Sequence, residues 1–472
     1  MKQPEAGESA ASVAIKAPLE RVDQWQAAAY GSGDLGFNLY WTTVSLYILY
    51  YYTDVLGIPA TAAGLVFLLA MLWDAVTDPV MGIIAQRTRT RWGSYRPFIA
   101  AGAVPLCLSM MLLFHDPGLD GIALIAYALA VQILFRTAYT IANIPYSALA
   151  SSMTDSSRVR NALSAWRISL ATIGSAFVGY STLKLVSFFG QGDAARGFFL
   201  TATLYGVLSL PFLLTVSCRI NEGRARPRQA MTVSLRQALG VLRHNRPFLI
   251  VLAATMCATL GGVISSKTLV YYFKYTLGDE AAVGMAFAAN SLIILIATPL
   301  WAVLTLHTSK RFVWRVGAIC SITGSVLLFL NPFETVWVVV GLVALVGTGA
   351  AAGYLSFWSA LPDTVEYGEV RSGLRVESPT FGIMSFAQKA SYGLAVALAG
   401  MLLDLIGYRP NVEQSAATLA DLKAVMTLVP AAFILIAVLV IGHYSLDARN
   451  HARLVTILRK RAARESRNSA LS

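Results

Sequence analysis

The chain has 472 residues, 56% hydrophobic and 13% charged, with a net charge of +12 and a mean hydropathy of +0.61. A soluble chain of this length carries about twice that share of charge, so composition excludes a soluble globular enzyme. The excess of Lys and Arg gathers in loops on one side, which reads as membrane topology rather than nucleic-acid binding.

Residues 1–25 are polar and small, without the apolar run of a cleavable signal peptide. Beyond them, apolar runs and short polar loops predict twelve spans: 27–53, 60–86, 97–115, 122–149, 162–187, 197–218, 247–275, 281–308, 313–331, 336–361, 380–405 and 421–445. The expected fold is therefore an all-α integral membrane protein of about 12 transmembrane helices. An even number of spans puts both termini on one face. The basic loop Arg87, Arg89, Arg91, Arg96, the linker Arg219–Arg246 and the basic tail make that face cytoplasmic.

The linker divides the chain into a six-helix half (1–218), the linker itself (219–246), a second six-helix half (247–445) and a tail (446–472). Tyr146-Ser147-Ala148-Leu149 after span 4 echoes Trp358-Ser359-Ala360-Leu361 after span 10, which points to duplication. Two pseudo-symmetric six-helix halves around a midplane site is the architecture of major facilitator transporters. Small residues such as Gly347-Thr348-Gly349-Ala350 in span 10 permit close helix contact. Cys107, Cys218, Cys257 and Cys320 are scattered without metal or redox spacing and read as packing residues.

Span 2 carries Trp73-Asp74-Ala75-Val76-Thr77-Asp78-Pro79. Each carboxylate at the centre of a span costs about 2.5–3.5 kcal/mol on insertion scales. Asp74 and Asp78 are one helical turn apart, and Thr77 shares their face. Three oxygen-bearing side chains on one face suit a small hard cation or a titrating proton. The plainer reading is a pair satisfied by a basic residue. Arg136 in span 4 lies at similar depth, some 18–20 Å in at about 1.5 Å per residue. It is the candidate partner for Asp74 or Asp78, and alternatively a holder of an anionic substrate group, since its fork matches a carboxylate. Thr140 and Asn143 follow on the same face of span 4.

Lys389, mid-span 11, must face a cavity or a counter-ion, in a substrate, coupling or structural role. Arg167 near the cytoplasmic end of span 5 either snorkels or serves the substrate site, and Lys267 near the outer end of span 7 is expected to snorkel. Asp34 and Asn38 share a face of span 1 that suits sugar hydroxyls, or simple helix packing. Trp41 and Tyr354 are deep aromatics with the shape to stack on a sugar ring. The cytoplasmic loop from Asp363 and Glu366 to Arg375 opposes the basic loop containing Arg91 and Arg96, a charge pattern that could latch the two halves together on that side.

Several motifs together resemble one family. They are Tyr51-Tyr52-Thr53-Asp54, the span-2 aspartates, Arg91-Trp92-Gly93-Ser94-Tyr95-Arg96-Pro97, Asn143-Ile144-Pro145-Tyr146 and Asp363-Thr364-Val365-Glu366-Tyr367-Gly368-Glu369. In order and spacing the chain is similar to the glycoside–pentoside–hexuronide:cation symporters of the major facilitator superfamily. The resemblance implies bacterial inner-membrane uptake of a sugar derivative driven by Na⁺ or H⁺, with no cofactor and no resident metal. It implies a cation site at Asp74, Thr77, Asp78 and Thr140, with Thr77 standing where the family's melibiose carrier has asparagine. In that carrier two aspartates hold the galactoside. Here Asn38 and Asn143 stand at those places, and Ser147 replaces a nearby tryptophan. Arg167 and Lys389 match its basic residues, whereas Arg136 departs from the family pattern. The sugar site is closer to that of the glucuronide and pentoside carriers.

The expected activity is symport of a hexuronide or pentoside by a membrane-embedded monomer. A Na⁺-dependent lysolipid transporter and an uncoupled sugar facilitator are the alternatives. No nucleophile–base pair or phosphate loop argues for an enzyme, and no charged ring for a channel.

Overall fold

The computed structural model describes residues 23–154, 157–220, 222, 235–333, 335–444 and 446, with 450, 453, 454, 456–458 and 460 beyond. Most of the 446–472 tail and much of the 219–246 linker lie outside the described residues.

The described chain is helical, without a β-strand. The first group comprises α1 (Gln24–Tyr50), α2 (Ala60–Arg87), α3 (Arg96–Leu113), α4 (Gly121–Met153), α5 (Ser157–Gly190) and α6 (Ala194–Arg219). A short helix α7 (Leu235–Arg243) precedes the second group. That group is α8 (Arg246–Tyr275), α9 (Val283–His307), α10 (Lys310–Leu330), α11 (Val336–Ser372), α12 (Glu377–Leu405) and α13 (Ala416–Ile441). Ten of these helices are long and apolar enough to cross a membrane. Of the three outside that set, α7 has only nine residues, whereas α1 and α5 have 27 and 34, long enough to span. Their polar residues lower the hydropathy, and several of those residues build the site below. Asp23 caps α1, accepting from the backbone N–H of Trp25 at 3.0 Å. At its other end α1 continues into a π-helical turn, Tyr51–Val55.

Helix α2 packs along α12, α1 along α5, and α5 along α9. The α2–α12 contact depends on missing side chains. A Cβ on Gly64 would lie 2.8 Å from Ala397 Cα, and one on Gly400 would collide with the Ala60 carbonyl. Gly393 similarly abuts Met71 and Leu68. The two backbones therefore approach closely enough for a side chain of α12 to reach the carboxylates of α2.

The core has two main parts. One large apolar cluster joins both helix groups, including Tyr47, Tyr51, Phe67, Phe114, Tyr271, Val396 and Leu403. A second belongs to the C-terminal group and α7, around Leu242, Phe248, Trp314, Phe357, Leu361 and Met384. Hydrogen bonds between the groups gather towards the end where α1 finishes: Tyr50 with Glu280, Thr53 with Tyr271, and the Thr61 amide with Asp404. We call this the far end, and the end where α1 begins the terminal end.

Candidate functional site

The carboxylates of α2 are shared between two elements. Asp74 is 1% exposed. The Thr140 hydroxyl on α4 lies 2.8 Å from Asp74 Oδ1 and 2.9 Å from Asp78 Oδ1. Lys389 Nζ on α12 donates to Asp74 Oδ2 at 2.7 Å and to Asp78 Oδ2. Each acid thus offers one oxygen to Thr140 and the other to Lys389. Pro79, directly after Asp78, removes one i→i−4 hydrogen bond from the helix at this point.

Two expectations are corrected here. The basic partner of the acid pair is Lys389, not Arg136, because α12 and not α4 brings a cation to the Oδ2 atoms. Thr77 shares the face of the acids but turns its hydroxyl back to the carbonyls of Trp73 and Asp74, at 3.0 and 3.3 Å. Its proton is spent within its own helix, so it donates no hydrogen bond to the pair.

A second charged cluster joins α1, α4 and α5 towards the terminal end. Arg167 pairs with Asp34 through Nε and also reaches Asp34 Oδ1 at 3.3 Å. The Tyr146 hydroxyl lies 3.0 Å from Asp34 Oδ2, and the guanidinium sits 5.0 Å from the Tyr146 ring centroid. Arg167 is therefore fixed in a bundle-facing ion pair rather than snorkelling to the surface. Asn38 donates to the Asp34 carbonyl at 2.8 Å, and its Oδ1 accepts from Ser175 at 3.0 Å. Asn143 is half-buried and Ser147 exposed, both on α4 near this cluster.

Arg136 stands apart from the acid pair, and the snorkelling expected of Lys267 is not seen. Arg136 is fully buried, and Nε, Nη1 and Nη2 have no hydrogen-bond partner. Its guanidinium lies 4.9 Å from the Trp41 ring and 5.2 Å from that of Phe67. Lys267 does not snorkel: it is 1% exposed, donates to the Ser45 carbonyl of α1, and lies 5.2 Å from the Phe67 ring. Trp41, expected as a deep aromatic able to stack on a sugar ring, is half-buried beside Arg136, Tyr139 and Tyr392. Tyr354 is 60% exposed and meets Trp358 edge-on, so it is not an aromatic of the packed interior.

At the far end, a cluster that sequence reasoning missed centres on Asp54. Its carboxylate accepts from Lys274 at 2.8 Å and from the hydroxyls of Tyr275 and Tyr408, each at 2.5 Å. Asn411 donates to its backbone carbonyl at 2.6 Å. One acid of the first group thus gathers three side-chain donors from the second. Burial, followed by the charge of Asp54, raises the Tyr408 phenol above its ordinary range. The Tyr51-Tyr52-Thr53-Asp54 run held the signal, but its partners lie more than 200 residues away.

Among the described residues, Arg96, Asp363 and Arg375 at the terminal end make contacts within their own helix groups. Arg96 donates to the Ser217 carbonyl at 2.5 Å, and Glu222 accepts from the amides of Ser94, Tyr95 and Arg96. Asp363 pairs with Lys310 at 2.7 Å, and Arg375 with Glu369 and Glu377. Hydrogen bonds to Glu377, ahead of those to Glu369, hold the Arg375 guanidinium above its usual range. Arg91 is exposed and Glu366 half-buried.

A charged cluster bridging the two helix groups, with a second beside it in the first group, suits a carrier that binds solutes there. Residues 29–448 match the family described as MFS/sugar transport protein. The chain belongs to that family, among the glycoside–pentoside–hexuronide symporters of the major facilitator superfamily, and is a transporter rather than an enzyme. It is 29% identical to the isoprimeverose transporter of Lactiplantibacillus pentosus over 442 residues, 92% of this chain and 91% of that one. It is 30% identical to a putative glycoside/cation symporter of Escherichia coli (strain K12) over 442 residues, 92% and 95% of the two chains. A putative sulfoquinovose importer of the same organism is also 30% identical, over 93% and 94%. The fold is similar to that of a bacterial homologue of the human lysosomal transporter Spinster, solved inward-facing and unoccupied. The TM-score is 0.69 at 12% identity, over 92% of this chain and 98% of that one.

Proposed function

We propose that the protein imports a glycoside, a hexuronide or pentoside, across a bacterial inner membrane in symport with Na⁺ or H⁺. Sugar symport is the general activity of its relatives. The observation that carries the finer reading is the bridge from Lys389 to Asp74 and Asp78. The bridge crosses the boundary between the helix groups, and its ammonium occupies the oxygens a travelling cation would use. With the termini in the cytoplasm, the far-end bonds close the outer side and this state faces inward.

In this reading Lys389 is a tethered cation. Once the ion and sugar have left, its ammonium bridges the two acids, so the empty carrier does not reorient with both carboxylates unpaired. A proton or Na⁺ arriving at Asp74, Asp78 and Thr140 displaces it, and the freed ammonium turns to the sugar site. Each ligand then favours the other's binding by the same factor. The sugar site is formed by Asp34, Asn38, Asn143, Ser147 and Arg167, between α1, α4 and α5. The protein works as a monomer surrounded by lipid.

The test is glycoside uptake by the reconstituted protein under an imposed Na⁺ or pH gradient. Accumulation driven by one gradient and abolished by dissipating it supports symport. Uptake that only equilibrates, whatever the gradient, makes the protein a facilitator.

A further inference from the structure

The charges of the interior do not balance. Arg136, Arg167, Lys267 and Lys389 face Asp34, Asp74 and Asp78, an excess of one positive charge. Arg167 and Lys389 are consumed by the three acids. Arg136 forms no ion pair among the described residues, and Lys267 holds only the Ser45 carbonyl. Both lie 5.2 Å from the centroid of the same Phe67 ring, so they stand no more than twice that distance apart. A buried guanidinium with all three nitrogens unsatisfied is costly unless something else completes it during the working cycle.

We propose that Arg136 and Lys267 form an anion subsite that receives the carboxylate or sulfonate of an acidic sugar, with Trp41 flanking its ring. This deepens the symport reading and rests on it. Three features support it. The fork of Arg136 matches a planar or tetrahedral oxyanion, and Lys267 adds a point charge. Arg136 comes from α4 and Lys267 from α8, on opposite sides of the group boundary, so parting of the groups at the far end uncovers both together. Trp41 already lies 4.9 Å from the guanidinium and 6.0 Å from Tyr392, an aromatic wall beside the charge. A loaded cation raises the interior excess to two, and a monoanionic sugar returns it to one. A neutral glycoside cannot.

The test compares wild-type protein with Arg136→Gln, Arg136→Lys and Lys267→Gln in proteoliposomes. Uptake of methyl β-glucuronide, of a 6-sulfonated methyl glucoside and of neutral methyl β-glucoside is measured under Na⁺ and pH gradients. We expect wild type to prefer an acidic sugar, and each Gln variant to lose roughly tenfold or more of that preference, chiefly through KM. Arg136→Lys keeps most of it. Preference for either acid supports the subsite and identifies the oxyanion. Wild-type uptake of the neutral glucoside equal to both acids overturns the subsite while leaving sugar symport intact. Equal loss of acidic and neutral uptake in the Gln variants makes the two cations structural and also overturns it. No accumulation of any of the three overturns the subsite, and uptake of methyl β-xyloside under the same gradients shows whether the symport reading fails with it. Thermal unfolding of each variant separates misfolding from lost recognition, and the two sites are neutralised separately so that one unstable variant leaves the other decisive.

Discussion

Lys389 of α12 and Asp74 of α2 meet at 2.7 Å, 315 residues apart in sequence and on opposite sides of the boundary between the two helix groups. Asp74 is almost wholly enclosed, while the Lys389 side chain keeps 27% of its exposure. Of the three, Asp74 is the most enclosed and Lys389 the most accessible, with Asp78 at 19% between them.

Removing either acid should end concentrative transport. Asp74→Asn and Asp78→Asn each leave an oxygen for Thr140 but subtract the charge that holds a cation. The expected accumulation ratio falls to about one, while downhill exchange persists. Full gradient-driven accumulation by both variants would sink the cation-site assignment.

Replacing the tethered cation should separate ion binding from turnover. In Lys389→Met the acids lose their competitor, so Na⁺ or H⁺ binds more tightly, by about tenfold or more for one lost charge-assisted bond. Release then slows and net uptake drops. Calorimetric ion titration alongside flux measurement checks both halves of the claim. Unchanged ion affinity would mean Lys389 does not compete for these oxygens.

Asp54→Asn should loosen the far end. It removes the ion pair with Lys274 and weakens the bonds from Tyr275 and Tyr408. Hydrogen bonds to a charged group contribute about 1.5–3 kcal/mol each before screening, and Lys274 is 21% exposed. A net loss of about 2 kcal/mol moves the balance between states roughly thirtyfold towards opening at this end. Thiol labelling of single cysteines placed near Tyr50 and Asn411 reads that shift. Labelling rates equal to those of the unmutated background would contradict it.

Packing makes a contrasting pair of forecasts. Gly64→Val inserts a side chain where Ala397 already stands, so it should lower stability by about 1–3 kcal/mol and weaken transport together. Tyr354→Ala alters a mostly exposed ring and should change stability by no more than about 0.5 kcal/mol. Detergent-solubilised thermal unfolding distinguishes them, and equal shifts would refute the assigned packing.

The helical, multi-pass fold was legible from hydropathy alone, because a segment crossing lipid must be long, apolar and internally hydrogen-bonded. The costly residues were legible for the same reason: Asp74, Asp78, Arg136 and Lys389 stand out wherever charge is expensive. Their pairing was not. Depth along a span can be counted from sequence and made Arg136 look suited to Asp74, but the partner depends on which helix face lies opposite. The glycines Gly64, Gly393 and Gly400 let α12 approach α2, and that contact delivered Lys389 to the acids. Tertiary packing likewise turned Lys267 inward to Ser45, bound Arg167 to Asp34 and assembled the donors around Asp54. Sequence determined which charges enter the membrane, since that cost belongs to each residue alone. Only the folded bundle decided which of them neutralise one another, because ion pairing depends on distances of a few ångströms between segments hundreds of residues apart.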